Sequence, residues 1–440
     1  MKLVLQAYKL QKALTTAREV VSKTLDPSIV LSQHVLLDFA KENQVTFLAG
    51  DKEINHSITI AVEPEEGEFL DFPESFTLYT KENEPIKQLS VSCNSFVDAI
   101  TGLNGKTLVT LEFTKPPVAN ELTYANLTYE TTVVRIEASN GQGYALLKES
   151  LSDAVSISTL DIPERIFKDI IQSTIFCVSV KASKHASLHT LILSLTPTQL
   201  KAFGGDYSRI ALCSYFFREQ KPYHIEGFNN FYEENPLTFN LSRRVGAELL
   251  RLLSVSEAKV RLVFHLTQSG HVQYLQLCKD DQELIFNLTY SKPPMYGHIV
   301  PDHFDDDVIC NASEIKDKLN RSTKFGEIIL INSAENVLTL SASNPGTLDS
   351  FSTEIKNVKT NPESEPLNLR VQGKHFIELI NPLQESAKLR QAPVEEMLLS
   401  LNFVNKKVPV FVVKELDNNE LDRTYVLTPY NNVASVDNGN

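Results

Sequence analysis

No stretch of this 440-residue chain carries the residue patterns of the common catalytic and cofactor-binding classes. It has no G-x-x-x-x-G-K-[ST] loop to cradle phosphate, no H-E-x-x-H zinc pair, no G-x-S-x-G nucleophile turn and no glycine-rich turn with dinucleotide spacing. The ten histidines are dispersed. His185 and His189 lie four apart, but on an expected strand, where that spacing does not make a ligand pair. Carboxylate pairs arise by chance among 55 acidic residues, and none stands out as an acid–base couple. The acidic run Pro301–Asp307 (PDHFDDD) lacks the ligand spacing of a calcium loop, which favours a solvated linker over a cation site. Nothing here asks for an enzyme, a cofactor or a resident metal.

Other absences bound the setting. Five cysteines (Cys93, Cys177, Cys213, Cys278, Cys310) are scattered, odd in number and never spaced C-x-x-C. That excludes a zinc ribbon, disfavours a disulfide framework and fits a reducing compartment. The opening MKLVLQAYKLQKAL interrupts its apolar residues with charge and has no cleavage-like stretch, so no signal peptide is expected. No apolar run approaches the ~20 residues of a membrane span. A cytoplasmic location is the expectation. The net charge of −13 argues against a nucleic-acid partner on the mean alone. A basic lining inside an acidic exterior gives the same sum.

What is present is enough for substantial cores: 42% hydrophobic and 22% charged residues. The length suggests roughly three domains of ~150 residues. A helical stripe opens the chain, with Leu10, Leu14, Ala17 and Val21 at i, i+4, i+7 and i+11. Strand-like pieces follow, then a helix Asn94–Leu103 with Asn94 as N-cap, then more strands. The order restarts at Asp161–Glu164, where Pro163 suits a first turn and Ile166, Phe167, Ile170 and Ile171 form a stripe. A later helix of that round places Val245, Leu249, Leu252 and Leu253 on one face. A third round has helices Ser313–Ser322 and Lys374–Leu383 between strands. The pattern predicts an α+β protein of three similar domains, 1–155, 156–301 and 302–440, each with two helices packed on antiparallel sheet.

Most of these helices carry basic residues off the apolar stripe: Lys9, Lys12, Arg18 and Lys23; Arg165 and Lys168; Arg243, Arg244 and Arg251; Lys316, Lys318 and Arg321; and Lys374. For one helix, a solvated face explains them. Recurrence in three rounds, against a surplus of acid, also fits a common positive lining that attracts phosphate without reading bases. The stretch Ala202–Ser214 (AFGGDYSRIALCS) reads as a tight turn at Gly204, Gly205 and Asp206 between two strands. Tyr207, Ser208 and Arg209 would stand exposed beside Ile210, either as a hairpin corner or as the lip of a groove. Glycine there would supply positive φ or let another surface approach the backbone.

Taken together, the chain resembles the bacterial β sliding clamps, the processivity factors of replicative DNA polymerases. The resemblance rests on collinear stretches: MKLVLQAYKLQKAL with DPSIVLSQHVLLDF, LDIPERIFKDIIQSTIFCVS, FGGDYSRIALCS, NLSRRVGAELLRLL, the IVP at Ile299–Pro301 and the closing YVLTPY. Gly205, Tyr207 and Ser208 replace the family's usual Thr, Gly and His, and Thr428 and Tyr430 replace methionines, so the chain reads as a divergent member. The resemblance implies a non-catalytic homodimeric ring of three clamp domains per subunit, closing head to tail around double-stranded DNA. It implies a dimer edge near Tyr144, Leu146, Lys324 and Phe325. It adds Lys181 and Lys184 to the DNA-facing set. It implies a cleft for short motifs of the polymerase, the clamp loader and other partners at Leu188, Gly205, Tyr207, Ser208, Arg209, Ile210, Ser242, Ala247, Gln372, His375, Val426, Leu427, Thr428, Pro429 and Tyr430. Alternatives are a clamp paralogue with altered partners, of the mobile-element or resistance type, and a β-rich scaffold without a DNA role.

Overall fold

The computed structural model describes residues 1–21, 33–79, 83, 85–117, 123–140, 144, 151, 154, 156–179, 188–217, 225–226, 234–288, 290, 308–344, 346–356, 358–362, 366–390, 392–404, 410–416, 418 and 420–429. The fold is α+β. Among the described residues there are six α-helices: α1 (Ala7–Val20), α2 (Cys93–Ile100), α3 (Glu164–Ile175), α4 (Arg243–Leu252), α5 (Ala312–Ser322) and α6 (Gly373–Leu389). The paired strands run antiparallel. The chain divides into two compact units, described in turn.

The first unit takes Met1–Asp161, His224–Gly227 and Lys259–Leu288. Among the described residues its main sheet has 14 strands, and the segment Ile54–Ala61 pairs with Gln282–Asn287 to join the early strands to the late hairpins. Helix α1 forms where the stripe predicts it: Leu10, Leu14, Ala17 and Val21 are all buried. The first residues depart from expectation, because Lys2–Gln6 is a strand paired with Leu108–Glu112, and the helix begins only at Ala7. Alternation explains this: Leu3 and Leu5 enter the core on one face of the pleat. Helix α2 starts at Cys93, not at Asn94, with Ser92 before it, and buries Cys93, Phe96, Val97 and Ile100.

The second unit takes Ile162–Tyr223, Phe228–Ala258 and Thr289–Asn440. In its nine-stranded sheet, Arg209–Phe216 lies beside Leu421–Leu427, so segments some two hundred residues apart in sequence share one ladder. A separate four-stranded sheet is ordered Ser350–Lys356, Val337–Ser343, Ile328–Ala334, Asn368–Gln372. Helix α3 begins after Pro163 and buries Ile166, Phe167, Ile170 and Ile171 completely. Asn311 caps α5 by accepting from the amides of Ser313 and Glu314 at 3.0 Å each. Helix α6 runs through Pro382 and past its expected end at Leu383 to Leu389, because Leu383 and Ala387 continue its buried stripe.

Close packing against α3 is made possible by glycine. A Cβ on Gly204 would lie 2.2 Å from the Thr174 carbonyl oxygen, and one on Gly246 would lie 2.0 Å from Ile175 Cδ1. The end of α3 therefore rests directly on the strand Gln199–Gly205 and on α4.

Candidate functional site

The segment singled out in the sequence ends one strand and begins the next. Gly204 and Gly205 are the last residues of the strand Gln199–Gly205 and lie outside the positive-φ glycines, so the turn does not depend on them as expected. Asp206 makes it instead. Its carboxylate accepts from the amides of Ser208 at 2.8 Å and Arg209 at 3.0 Å, an Asx turn. The ladder then sets Arg209 opposite Leu427 and Ile210 opposite Val426, and the Thr428 amide donates to the Ser208 carbonyl at 2.9 Å. Two groups of residues distant in sequence, 205–210 and 426–429, thus meet at one sheet end.

Half-buried Ile210 packs with buried Val410, Val412 and Val426, beside Val404. Tyr207 is 67% exposed. Thr428 is also exposed, whereas Leu427 and Pro429 are buried. Among the remaining expected cleft residues, Ser242 pairs with Thr190 and caps α4 by accepting from the Val245 amide at 3.1 Å. Ala247 is exposed on α4, and Leu188 is half-buried just ahead of Thr190. Gln372 precedes α6 and His375 lies in its first turn, both half-buried. Tyr430 lies outside the described residues.

Arg209 differs most from expectation. It is turned inward, not exposed: Nε donates to Asp206 at 3.0 Å, Nη1 bonds Glu378, Nη2 donates to the Phe176 carbonyl at 3.3 Å, and the guanidinium carbon stands 5.7 Å from the Phe176 ring centre. Burial alone would lower its pKa, but the carboxylates of Asp206 and Glu378 outweigh that and hold the cation. His375 is pushed the other way, first by burial and then by the charge of Arg209. Glu378 was not anticipated from sequence, since only the fold brings α6 to the turn.

The basic residues expected to face phosphate separate into classes. Lys9 does not face solvent. Its ammonium sits 2.8 Å from Glu63, 2.8 Å from Glu68 and 3.9 Å from Glu66, and the Glu68 side chain is fully buried. Burial works against the charge, but the hydrogen bonds of Glu63 and Glu68 win and raise the pKa. Arg165 is likewise buried, bonded to Glu257 at 2.7 Å and to Glu420 at 2.8 Å. Both expectations are corrected for one reason: a charge off the apolar stripe reaches solvent only if no other segment folds over it. Lys12 is exposed and pairs with Asp281, Arg18 with Asp98, and Arg251 with Glu248. Lys168 donates to the Leu253 carbonyl, Arg243 to the Val178 carbonyl and Lys316 to Gln384. Arg244, Arg321 and Lys374 are exposed, and Lys318 is half-buried. Lys23, Lys181 and Lys184 lie outside the described residues. The six helices carry thirteen Lys and Arg against nine Asp and Glu, a surplus of four, in a chain whose balance is −13.

Of the expected interface residues, Tyr144 turns its hydroxyl into the first unit, donating to the His34 carbonyl at 2.9 Å and accepting from the Gly50 amide at 3.1 Å. Lys324 is exposed. Phe325 is 37% exposed and stacks on Phe351, centres 5.1 Å apart, beside the edge strand Ser350–Lys356. Leu146 lies outside the described residues.

A hydrolase-like constellation also forms in the first unit. His34 Nδ1 lies 3.2 Å from Ser90 Oγ, and Nε2 lies 3.0 Å from Glu137. Access is inverted, because Ser90 is completely buried while the Glu137 side chain is 48% exposed. A nucleophile must reach its substrate, so this trio ties strands together and performs no acyl transfer.

No protein-family model and no curated protein sequence matches the chain. Solved structures do. A sliding clamp, the DNA polymerase III β subunit, from Pseudomonas aeruginosa bound to griselimycin superposes with a TM-score of 0.74 at 16% identity, over 98% of this chain and 99% of that one. The DNA polymerase sliding clamp of Caulobacter crescentus gives 0.73 at 15% identity, over 98% and 100%. The DNA polymerase III β subunit of Thermotoga maritima gives 0.70 at 16%, over 98% and 99%.

Proposed function

From the premise that the chain has the bacterial sliding-clamp fold along nearly its whole length, we propose that it is a sliding clamp of divergent sequence. Two copies close head to tail around double-stranded DNA, with three similar modules per subunit at 1–155, 156–301 and 302–440. The clamp tethers a replicative polymerase by topology, carries no catalysis of its own and works in the cytoplasm. The observation that carries this reading is the coverage: the matching clamps align over 98% of this chain and 99–100% of their own. Within the described residues no helix is long and apolar enough to cross a membrane.

The partner site of this proposal is the sheet end at Ile210 and Val426. An apolar anchor of a short peptide, laid on Ile210 beside Tyr207 and Thr428, gains about 1.5–3 kcal/mol before ordering costs. Partners using one such motif compete for the place, so polymerase, clamp loader and other proteins exchange there. Exposed Tyr207 and inward Arg209 favour a partner preference of its own for this clamp. The dimer edge of the proposal is the strand Ser350–Lys356 with the stack of exposed Phe325 on half-buried Phe351, since pairing would cover both. With Lys9 and Arg165 withdrawn, phosphate attraction falls to Lys12, Arg18, Arg243, Arg244, Arg251, Arg321 and Lys374.

Sedimentation with small-angle scattering tests the assembly. The reading expects a dimer with a central opening wider than a duplex. A monomer without a cavity at micromolar concentration would leave the scaffold alternative.

A further inference from the structure

The second unit contains a charge network whose central pair is buried away from water. Arg423 and Asp169 both have fully buried side chains, and the guanidinium Nη2 donates to Asp169 Oδ2 at 2.6 Å. Ser386 on α6 joins them, donating to Asp169 Oδ2 at 2.6 Å and accepting from Arg423. Nη1 of Arg423 bonds Glu415, which also accepts from Arg390 at 2.7 Å and from Asn418 at 2.9 Å. Two cations meet two carboxylates, so the buried group is neutral overall.

Stability alone does not account for it. Replacing a buried ion network by apolar residues of similar volume is often neutral or stabilising, whereas directional bonds in low dielectric distinguish one arrangement from its near neighbours. The geometry here suits that second role. One turn before Asp169 on α3, Arg165 grips Glu420 at 2.8 and 3.2 Å. Helix α3 therefore holds the incoming end of the strand Leu421–Leu427 at two points of opposite polarity, Arg165 to Glu420 and Asp169 to Arg423. A slip of this strand by one residue would turn Arg423 to the other face and leave Asp169 buried without its partner.

We propose that Arg423 and Asp169 form a register lock, and that they act as positioning residues for the peptide site at the far end of the same strand. The register they fix sets Cys213 opposite Arg423, and hence Ile210 opposite Val426 and Arg209 opposite Leu427. The other wall is fixed from the same helix: Thr174 lies against Gly204, and the Phe176 carbonyl just past the end of α3 holds Arg209. Helix α3 is thereby the common reference for both chain segments of the site. The part of this proposal that concerns binding rests on the cleft reading above; the register lock does not.

The test is the double variant D169N/R423M in the full-length chain, which leaves Glu415 still paired with Arg390. Two readouts are followed: amide hydrogen exchange, and binding of a fluorescein-labelled pentapeptide ending in Leu-Phe. The lock predicts that exchange at Val426 and Leu427 rises at least tenfold while Leu191–Leu193, in the same sheet, changes less than twofold. Peptide affinity falls at least fivefold. Unchanged exchange at Val426 and Leu427, or an equal rise at Leu191–Leu193, overturns the lock, the latter because it reports plain loss of stability. If the double variant does not fold, E420Q at the half-exposed rung answers instead, with a rise of about threefold expected at Val426 and no local rise overturning the lock. Failure of the unaltered protein to bind this peptide or any of a set varied at its two apolar anchors sinks the cleft reading, while the exchange arm still decides the lock.

Discussion

Replacing Lys9 by Met distinguishes a structural cation from one that faces phosphate. In the folded protein the Lys9 ammonium neutralises Glu68, whose carboxylate has no solvent exposure and, among the described residues, otherwise accepts from the Gln6 amide at 3.0 Å and the Glu63 amide at 2.8 Å. Removing one partner of a fully buried pair costs about 3–5 kcal/mol. Here the mouth is open through half-exposed Glu63 and Glu66, so we expect about 2–4 kcal/mol at neutral pH. Lys12, three residues on in α1, pairs with Asp281 at the surface, and its replacement by Met should cost at most about 1 kcal/mol. A unit of this size shifts by roughly 2–4 °C per kcal/mol, so Lys9→Met should lower its unfolding midpoint by roughly 4–16 °C and Lys12→Met by less than about 4 °C. Calorimetry of the two variants checks this. Equal shifts would show that Lys9 is a surface charge after all, and the account of α1 would be wrong.

Three further outcomes are expected. Gly204→Ala places a methyl against the Thr174 carbonyl, a backbone atom that cannot step aside, so denaturant unfolding of the second unit should show a loss of about 1–3 kcal/mol. Ile210→Asp puts charge where a peptide anchor would lie, and should weaken pentapeptide binding roughly tenfold or more in fluorescence anisotropy; unaltered affinity would remove the groove from Ile210. Burial depresses the pKa of His34 although Glu137 opposes it, so the neutral ring is the form that folds. Its contribution is complete above the ordinary value of 6.5 and is lost as pH falls from there through the folded-state pKa. A thermal scan series from pH 7.5 to 5 should show the first unit weakening, and His34→Asn should flatten that slope.

Periodicity made the helices legible, since Leu10, Leu14 and Ala17, or Ile166 and Ile170, announce a buried stripe by spacing alone. Boundaries were less legible. Lys2–Gln6 has the composition of a helix opening, and only its pairing with Leu108–Glu112 makes it a strand. The cleft segments Gly205–Ile210 and Val426–Pro429 came from resemblance, and the ladder that joins them lies beyond local pattern because their separation exceeds two hundred residues. Charges were read least well. Sequence shows that Lys9 and Arg165 leave the apolar stripe and sets Arg209 beside a turn, but which acid folds over each is a tertiary fact, as with Glu68, Glu420 and Glu378. Asp169 and Arg423 gave no signal at all, since a buried ion pair looks in sequence like two surface charges.

Retention on DNA is the most direct test of the ring. The protein, loaded on a nicked circular plasmid and passed through a sizing column at high salt, should travel with the circle and leave once a restriction enzyme opens it. Escape from the intact circle as fast as from the linear form would contradict a hold by topology.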